Sequence, residues 1–263
     1  MNEKDWVLVT GGAQRLGREI SLAFAKAGWN VLCHYRISRD GALKTQAEVQ
    51  DAGGSCLLVD LDLAQGDAAE LLLDKCVQLT GHPPRCIVNN ASIFEADTAP
   101  SASAEGLQKH FQVNTATPLL LANSLFTRLC QRPDVANGTH SVIHVLDQKV
   151  HNLNPDYFSY TVSKLALERS VALQAQALAP TVRVCGLSPG LLYLSGPQTQ
   201  ANFDKASLVN LLQKRIDPVD VAQGALFMAQ NTSINGCTLS TDNGQHLIPL
   251  SRDVMWAIEE AAP

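Results

Sequence analysis

The chain has 263 residues, 46% of them hydrophobic, and a formal net charge of −5. That is room for one sizeable α/β domain, expected to span residues 1–263, and without a basic cluster it argues against nucleic acid or an acidic membrane as main partner. No apolar run is long enough to span a bilayer, the start MNEKDWVLVT lacks the basic lead and long apolar core of a signal peptide, and seven scattered cysteines without a C-x-x-C point to a reducing cytoplasm rather than to disulfides or a metal site.

Trp6 to Thr10 is a continuous apolar run ending in glycines, as expected of a buried parallel strand. Gly11-Gly12-Ala13-Gln14-Arg15-Leu16-Gly17 follows, then an amphipathic helix through Ala27, then a second strand from Asn30 to Tyr35. A glycine-rich turn between a strand and a helix sets backbone N–H groups against a phosphate at the helix N-terminus. The strict G-x-G-x-x-G fingerprint is absent, but the order strand, helix, strand is that of a mononucleotide-binding unit. The second strand ends His34-Tyr35-Arg36-Ile37-Ser38-Arg39. An NAD enzyme places an acid there for the ribose hydroxyls. Here arginines stand instead, and Arg15 can approach the same spot. Guanidinium groups bind phosphate through forked hydrogen bonds, so the 2′-phosphate of NADP is favoured.

Asp40 to Ala52 reads as a helix, Ser55 to Leu61 as strand three, and Gln65 to Leu79 as a helix. Asp62, followed by Leu63, is the candidate acceptor for an adenine amino group, with Asp60 its competitor. Arg85 to Val88 is strand four. It runs into Asn89-Asn90-Ala91-Ser92, whose amides can tie neighbouring loops and shape a cofactor bed, with Phe94 just beyond. An aromatic ring in a polar loop either stacks on a flat ligand or plugs a hydrophobic gap. Glu105 to Arg132 is expected to be one helix, with Asn114 inside it. Thr139 to Leu146 is strand five, delivering Asp147 at its end.

Tyr160 follows Asp147 by thirteen residues and Lys164 follows Tyr160 by four. On a helix from Tyr157 to Ala179, Tyr160 and Lys164 share one face, one turn apart. An ammonium there stabilises the tyrosinate and makes the phenol a better acid. The same helix is apolar on two sides, which predicts a sheet on one and a partner subunit on the other. Val182 to Leu187 is strand six, turning at Ser188-Pro189-Gly190. Leu191 to Arg215 reads as an irregular, mobile substrate lid. Asp217 to Gln230 is a last helix and Cys237 to Ser240 a last strand, before Asp242-Asn243-Gly244. Strands alternating with helices give a Rossmann-type doubly wound parallel sheet.

The chain resembles the short-chain dehydrogenase/reductases over nearly its whole length. The resemblance rests on Thr10-Gly11 with Leu16-Gly17, Asn89-Asn90-Ala91, Asn114, Tyr160 with Lys164, Ser188-Pro189-Gly190 and Asp242-Asn243-Gly244, in that order. It implies an NAD(P)-dependent oxidoreductase in which Tyr160 donates a proton, Lys164 binds the nicotinamide ribose and lowers the tyrosine pKa, and Asn114 helps a relay water. It also implies cofactor contacts from Gly11, Leu16, His34, Tyr35, Asp62, Leu63, Asn89, Ala91, Pro189, Gly190 and Leu191, and a homotetramer.

Three departures stand out: Arg15 where the family has glycine, Asp147 where it has serine, and Leu191-Leu192-Tyr193-Leu194 where it has a threonine. These are similar to the pteridine reductases, a branch that includes dihydromonapterin and dihydrofolate reductases. By that resemblance Phe94 stacks on one face of a pterin, nicotinamide lies on the other, and Ser92 and Arg15 bond the ligand and the cofactor phosphates. A pterin C=N needs a proton at nitrogen as hydride reaches carbon, and a carboxylic acid beside the tyrosine relays it. Burial would raise the Asp147 pKa and keep the proton on. The expected activity is NADPH-dependent reduction of a dihydropterin or related C=N. The rival readings are a 3-oxoacyl or other ketone reductase of the same fold, and an NADP(H)-binding redox sensor with little chemistry.

Overall fold

The computed structural model describes residues 4–132 and 134–260. The first three residues of the charged lead and the last three of the expected domain lie outside the described residues.

Seven strands form one sheet: β1 (Trp6–Val9), β2 (Asn30–Tyr35), β3 (Cys56–Asp60), β4 (Cys86–Asn89), β5 (His140–Val145), β6 (Val182–Pro189) and β7 (Thr238–Thr241). Their spatial order is β3-β2-β1-β4-β5-β6-β7. Every neighbouring pair is parallel. Parallel strands need crossovers, and the helices supply them on both faces. Side chains alternate across the sheet accordingly. Val7 and Val9 pack with Ile20 and Phe24 of α1 (Arg15–Lys26), Val49 of α2 (Arg39–Asp51) and Ala225 of the later helix Pro218–Gln230. Trp6 and Leu8 face the other way, against Leu72 of α3 (Ala68–Thr80), Leu121 of a helix Thr117–Leu129 and Ala175 of a helix Phe158–Ala177. Strand order reverses between β1 and β4, so their C-terminal ends diverge and leave a crevice there.

The expected helix over 105–132 is two helices. α4 (Ala104–Phe111) runs into a wide π turn at Gln112–Ala116 before α5 (Thr117–Leu129). Pro118 has no N–H to return to the carbonyl four residues back, that of Asn114, and the helical register loosens there. Asn114 sits in the wide turn and is buried. The long helix α6 starts at Phe158, after a left-handed Tyr157 (φ 56°). Its first turn is capped by Asp97, whose carboxylate accepts the Ser159 N–H at 3.0 Å. The stretch 191–215, read as irregular, contains α7 (Gln200–Ala206). Thr199 caps it, its hydroxyl accepting the Asn202 N–H. After α8 (Pro218–Gln230), the last element among the described residues is α9 (Val254–Glu260), which has no counterpart in the sequence reading.

Candidate active site

A cleft of about 490 Å3 opens where β1 and β4 part. Its floor is the glycine turn. Gly11 has φ +62°, and a Cβ on Gly17 would lie 2.1 Å from the Gly11 carbonyl oxygen, so the turn and α1 touch through glycine alone. Asn90 holds the turn from β4. Its side-chain amide donates to the carbonyls of Thr10 (3.0 Å) and Gly11 (3.2 Å), and its N–H and that of Ala91 donate to the Thr10 hydroxyl. The first turn of α1 has no acidic residue and no side-chain cap. Its N–H groups therefore suit an anion.

His34 supports the turn from beneath. The Gly11 N–H donates to Nδ1 at 3.1 Å, so the ring proton sits on Nε2, which donates to the Leu61 carbonyl at 3.0 Å. Burial pushes this histidine down to about 4. Tyr35, Arg36, Asp62 and Leu63 line the same end of the cleft. Arg36 is half exposed, and its guanidinium is 3.9 Å from Asp62. Asp60 does not line the cleft; its exposed carboxylate faces Lys75 at 3.7 Å.

At the other end, Tyr160 Oη donates a 2.8 Å hydrogen bond to Asp147 Oδ2. Asp147 is partly open to the cleft and caps the 3-10 turn Gln148–Val150, where its Oδ1 accepts the Lys149 N–H at 2.8 Å. Lack of solvation raises the Asp147 pKa, opposed by that N–H, by the tyrosine hydrogen bond and by the charges of Lys149 and Lys164. Tyr160 lies well above the ordinary phenol range, through burial first and then through the Asp147 charge. This corrects the expectation that Lys164 makes the phenol a better acid. Lys164 Nζ donates to the Val145 carbonyl at 2.7 Å and lies 5.8 Å from the Tyr160 ring centroid. Burial takes Lys164 itself down to about 8.

Phe94 closes the wall. Tyr157 stacks on one of its faces at 4.0 Å between centroids and 19° between planes. Tyr160 meets it edge-on at 4.7 Å and 90°. Tyr157 thus covers one face of Phe94, and the ring, 37% exposed, lines the cleft.

Other expected site residues stand elsewhere. Asn89 is a core residue, its amide donating to His144 Nδ1 at 3.1 Å, and it does not line the cleft. Asn114 does not line it either. Its side chain accepts from the Ile93 N–H (2.8 Å) and Ser92 Oγ (3.2 Å) and donates to the Ile93 carbonyl (2.9 Å) and Ser163 Oγ (3.0 Å). All four hydrogen-bonding positions of the amide are used, so it ties the loop carrying Ser92 and Phe94 to α6. Arg15 lines the cleft but turns to the segment after β6, donating to the Leu194 carbonyl and lying 5.4 Å from the Tyr193 ring. Its φ of 51° is the left-handed value that explains why a glycine is expected there.

Pro189, Leu192 and Tyr193 line the cleft, whereas Gly190 and Leu191 do not. Gln245 was missed by the sequence reading. Asp242 accepts the N–H groups of Gly244 and His246, shaping a 3-10 turn, Gln245–Leu247, from which the Gln245 side-chain Oε1 accepts the Leu191 N–H at 2.8 Å. The Asp-Asn-Gly motif therefore holds the Pro-Gly loop through Gln245. Among the described residues, no helix is long and apolar enough to cross a membrane, and no group of His, Cys, Asp and Glu could hold a metal ion.

The short chain dehydrogenase profile matches residues 5–205. A dihydromonapterin reductase of Escherichia coli is 27% identical over 251 residues, 92% of this chain and 96% of that protein. An uncharacterised oxidoreductase of Mycobacterium tuberculosis is 30% identical, with 90% of each chain covered. The crystal structure of FolM alternative dihydrofolate reductase 1 from Brucella canis, complexed with NADP, superposes with a TM-score of 0.86 at 33% identity, covering 95% of this chain and 96% of that one. The profile covers most of the chain, and the chain belongs to the short-chain dehydrogenase family.

Proposed function

We propose that this protein is an NADPH-dependent reductase that transfers hydride to the C=N bond of a dihydropterin or dihydrofolate. The observation that carries the reading is the Tyr160–Asp147 hydrogen bond at 2.8 Å beside Phe94, an aromatic ring that lines the same cleft. A ketone reductase needs only a hydroxyl to orient its carbonyl. A second acid is useful where a ring nitrogen must gain a proton. Relatives named dihydromonapterin reductase and alternative dihydrofolate reductase support the substrate class.

The cofactor fits the residues present. The uncapped start of α1 would receive the pyrophosphate, half-exposed Arg36 the 2′-phosphate, Asp62 the adenine, and Lys164 the nicotinamide ribose. Bound NADPH supplies the hydride. Phe94 holds the flat substrate against its ring. Tyr160 delivers the proton to the substrate nitrogen, and Asp147, holding a proton above the ordinary carboxyl range, restores it. Asn114 acts by fixing the Ser92–Phe94 loop. The exposed apolar side chains Phe111, Leu120, Val162 and Leu173 on α4, α5 and α6 would pair with further subunits in a homotetramer.

The test is loss of NADPH absorbance with dihydrobiopterin, dihydromonapterin and dihydrofolate, beside a 3-oxoacyl thioester. Turnover with a pterin and not with the thioester is expected. Turnover with the thioester alone would keep the cofactor and remove the pterin.

A further inference from the structure

Asp147 does not stand alone on its turn. Two residues on, Lys149 carries an ammonium whose side chain is 3% exposed. Its Nζ donates to Asp253 Oδ2 at 2.9 Å and to Asn154 Oδ1 at 2.8 Å, and lies 5.3 Å from the Tyr157 ring centroid. Asp253 comes from the far end of the chain, just before α9. Its N–H donates to Asp156 Oδ2 at 2.8 Å, and Arg252 holds the same carboxylate through Nε (2.8 Å) and Nη2 (3.0 Å). The Met255 carbonyl accepts from Asn202 of α7. The C-terminal segment is thus tied to the turn of Asp147, to the start of α6 and to α7 at once.

We propose that Lys149 and Asp253 form a positioning pair for Asp147, a buried ion pair that fixes the turn carrying this carboxylate and sets the charge facing it. The proposal rests on the reading of Asp147 as the proton relay. Stability alone does not account for such a pair, because the desolvation of two buried charges offsets most of their attraction and apolar residues often serve as well. Its neighbours are informative. Lys149 touches Asp147 through its backbone N–H and Phe94 through Tyr157, so one residue braces the acid with its main chain and the stacking wall with its side chain.

The charges give the pair a signature. Lys149 in the turn and Lys164 from α6 both favour the Asp147 carboxylate, and Tyr160 from α6 donates to it. Asp253 opposes Lys149 directly and also acts on Tyr160; Asp156, held by Arg252, lies beyond. Removing the lysine charge leaves Asp253 unopposed, so Asp147 keeps its proton to higher pH. Removing the aspartate charge leaves Lys149 unopposed, so Asp147 gives up its proton at lower pH. Removing both charges cancels most of the effect. A merely structural tie would move both single variants the same way, or neither.

The experiment uses the full chain as wild type, Lys149→Met, Asp253→Asn, the double variant and Asp147→Asn. Two readouts are taken: the pH profile of kcat for NADPH-dependent dihydropterin reduction, and titration of the Asp147 carboxyl 13C resonance, assigned by its loss in Asp147→Asn. The expected shifts are at least about half a pH unit, upward for Lys149→Met and downward for Asp253→Asn, with the double variant close to wild type. Lys149→Arg keeps the charge and is expected to keep the wild-type profile, which covers poor folding of Lys149→Met. Shifts of the same sign, or thermal destabilisation with unmoved titration, overturn the proposal. If Asp147→Asn leaves the kinetic profile intact, the relay reading fails, and the carbon resonance still decides whether the pair sets the charge at Asp147.

Discussion

Asp147 Oδ2 accepts the Tyr160 hydroxyl proton at 2.8 Å; the carboxylate tightens the phenol's hold on its proton, whereas the hydrogen bond from the phenol partly offsets the rise that burial gives the carboxyl. In the proposed reaction the couple acts as one acid, and proton delivery depends on both members. Removal of either member is expected to cost about 10²–10⁴ in kcat, in the range of general acid catalysis. Tyr160→Phe and Asp147→Ser test this in single-turnover assays with NADPH and a dihydropterin. Since the Asp147 pKa is raised, kcat should hold at acid pH and fall only as pH climbs through that raised value. A full rate in Asp147→Ser would remove the relay.

Cofactor choice turns on Arg36. Its half-exposed guanidinium has only a distant partner, Asp62 at 3.9 Å, and is open to a phosphate. Arg36→Asp should lower kcat/KM for NADPH relative to NADH by about tenfold or more, the worth of a charge-assisted hydrogen bond. An unchanged ratio would place the 2′-phosphate elsewhere.

The stacked pair Tyr157–Phe94 predicts a separation of substrate and cofactor effects. Tyr157→Leu removes the backing of Phe94 without touching the glycine turn. KM for the dihydropterin should rise about three- to tenfold, as expected for an aromatic contact of roughly 1 kcal/mol. The NADPH dissociation constant, read by fluorescence, should not move.

Two buried neutral histidines make the fold acid-sensitive. His34 and His144 each titrate at about 4 in the fold, chiefly through burial. Between about 4 and the ordinary value near 6.5 the unfolded chain binds more protons, so stability is present above that window and lost as pH falls through it. Each contributes on the order of 3 kcal/mol across the window. Urea midpoints measured from pH 7 to pH 4.5 should fall, and His144→Asn should flatten the slope. A pH-independent midpoint would mean that these rings take up protons in the fold as readily as in the unfolded chain.

The exposed apolar face of α4, α5 and α6 gives the assembly test. Phe111 is 47% exposed and Leu173 66%. Wild type is expected to sediment as a tetramer, and Phe111→Glu with Leu173→Glu should convert it into smaller species. A wild type that already sediments as a monomer would remove the assignment.

Periodicity and turn residues were enough to locate all seven strands and the Tyr160–Lys164 helix. Buried parallel strands read as short apolar runs, and glycines mark the turns between them. Asp147, Tyr160, Arg36 and Phe94 were legible because their chemistry is unusual at those sequence positions. The roles of Asn89, Asn114 and His34 were not. Whether an amide or imidazole is spent inside the core depends on which carbonyls and N–H groups the sheet brings beside it, and no spacing rule encodes that. The same holds for Lys149 and Asp253, which stand more than a hundred residues apart with nothing in the sequence to pair them. Local propensity and motif chemistry therefore determined the fold class and singled out the candidate site residues. Only the packing of the C-terminal segment onto the start of α6 decided what holds those groups in place, because a buried charge takes its partner from tertiary proximity alone.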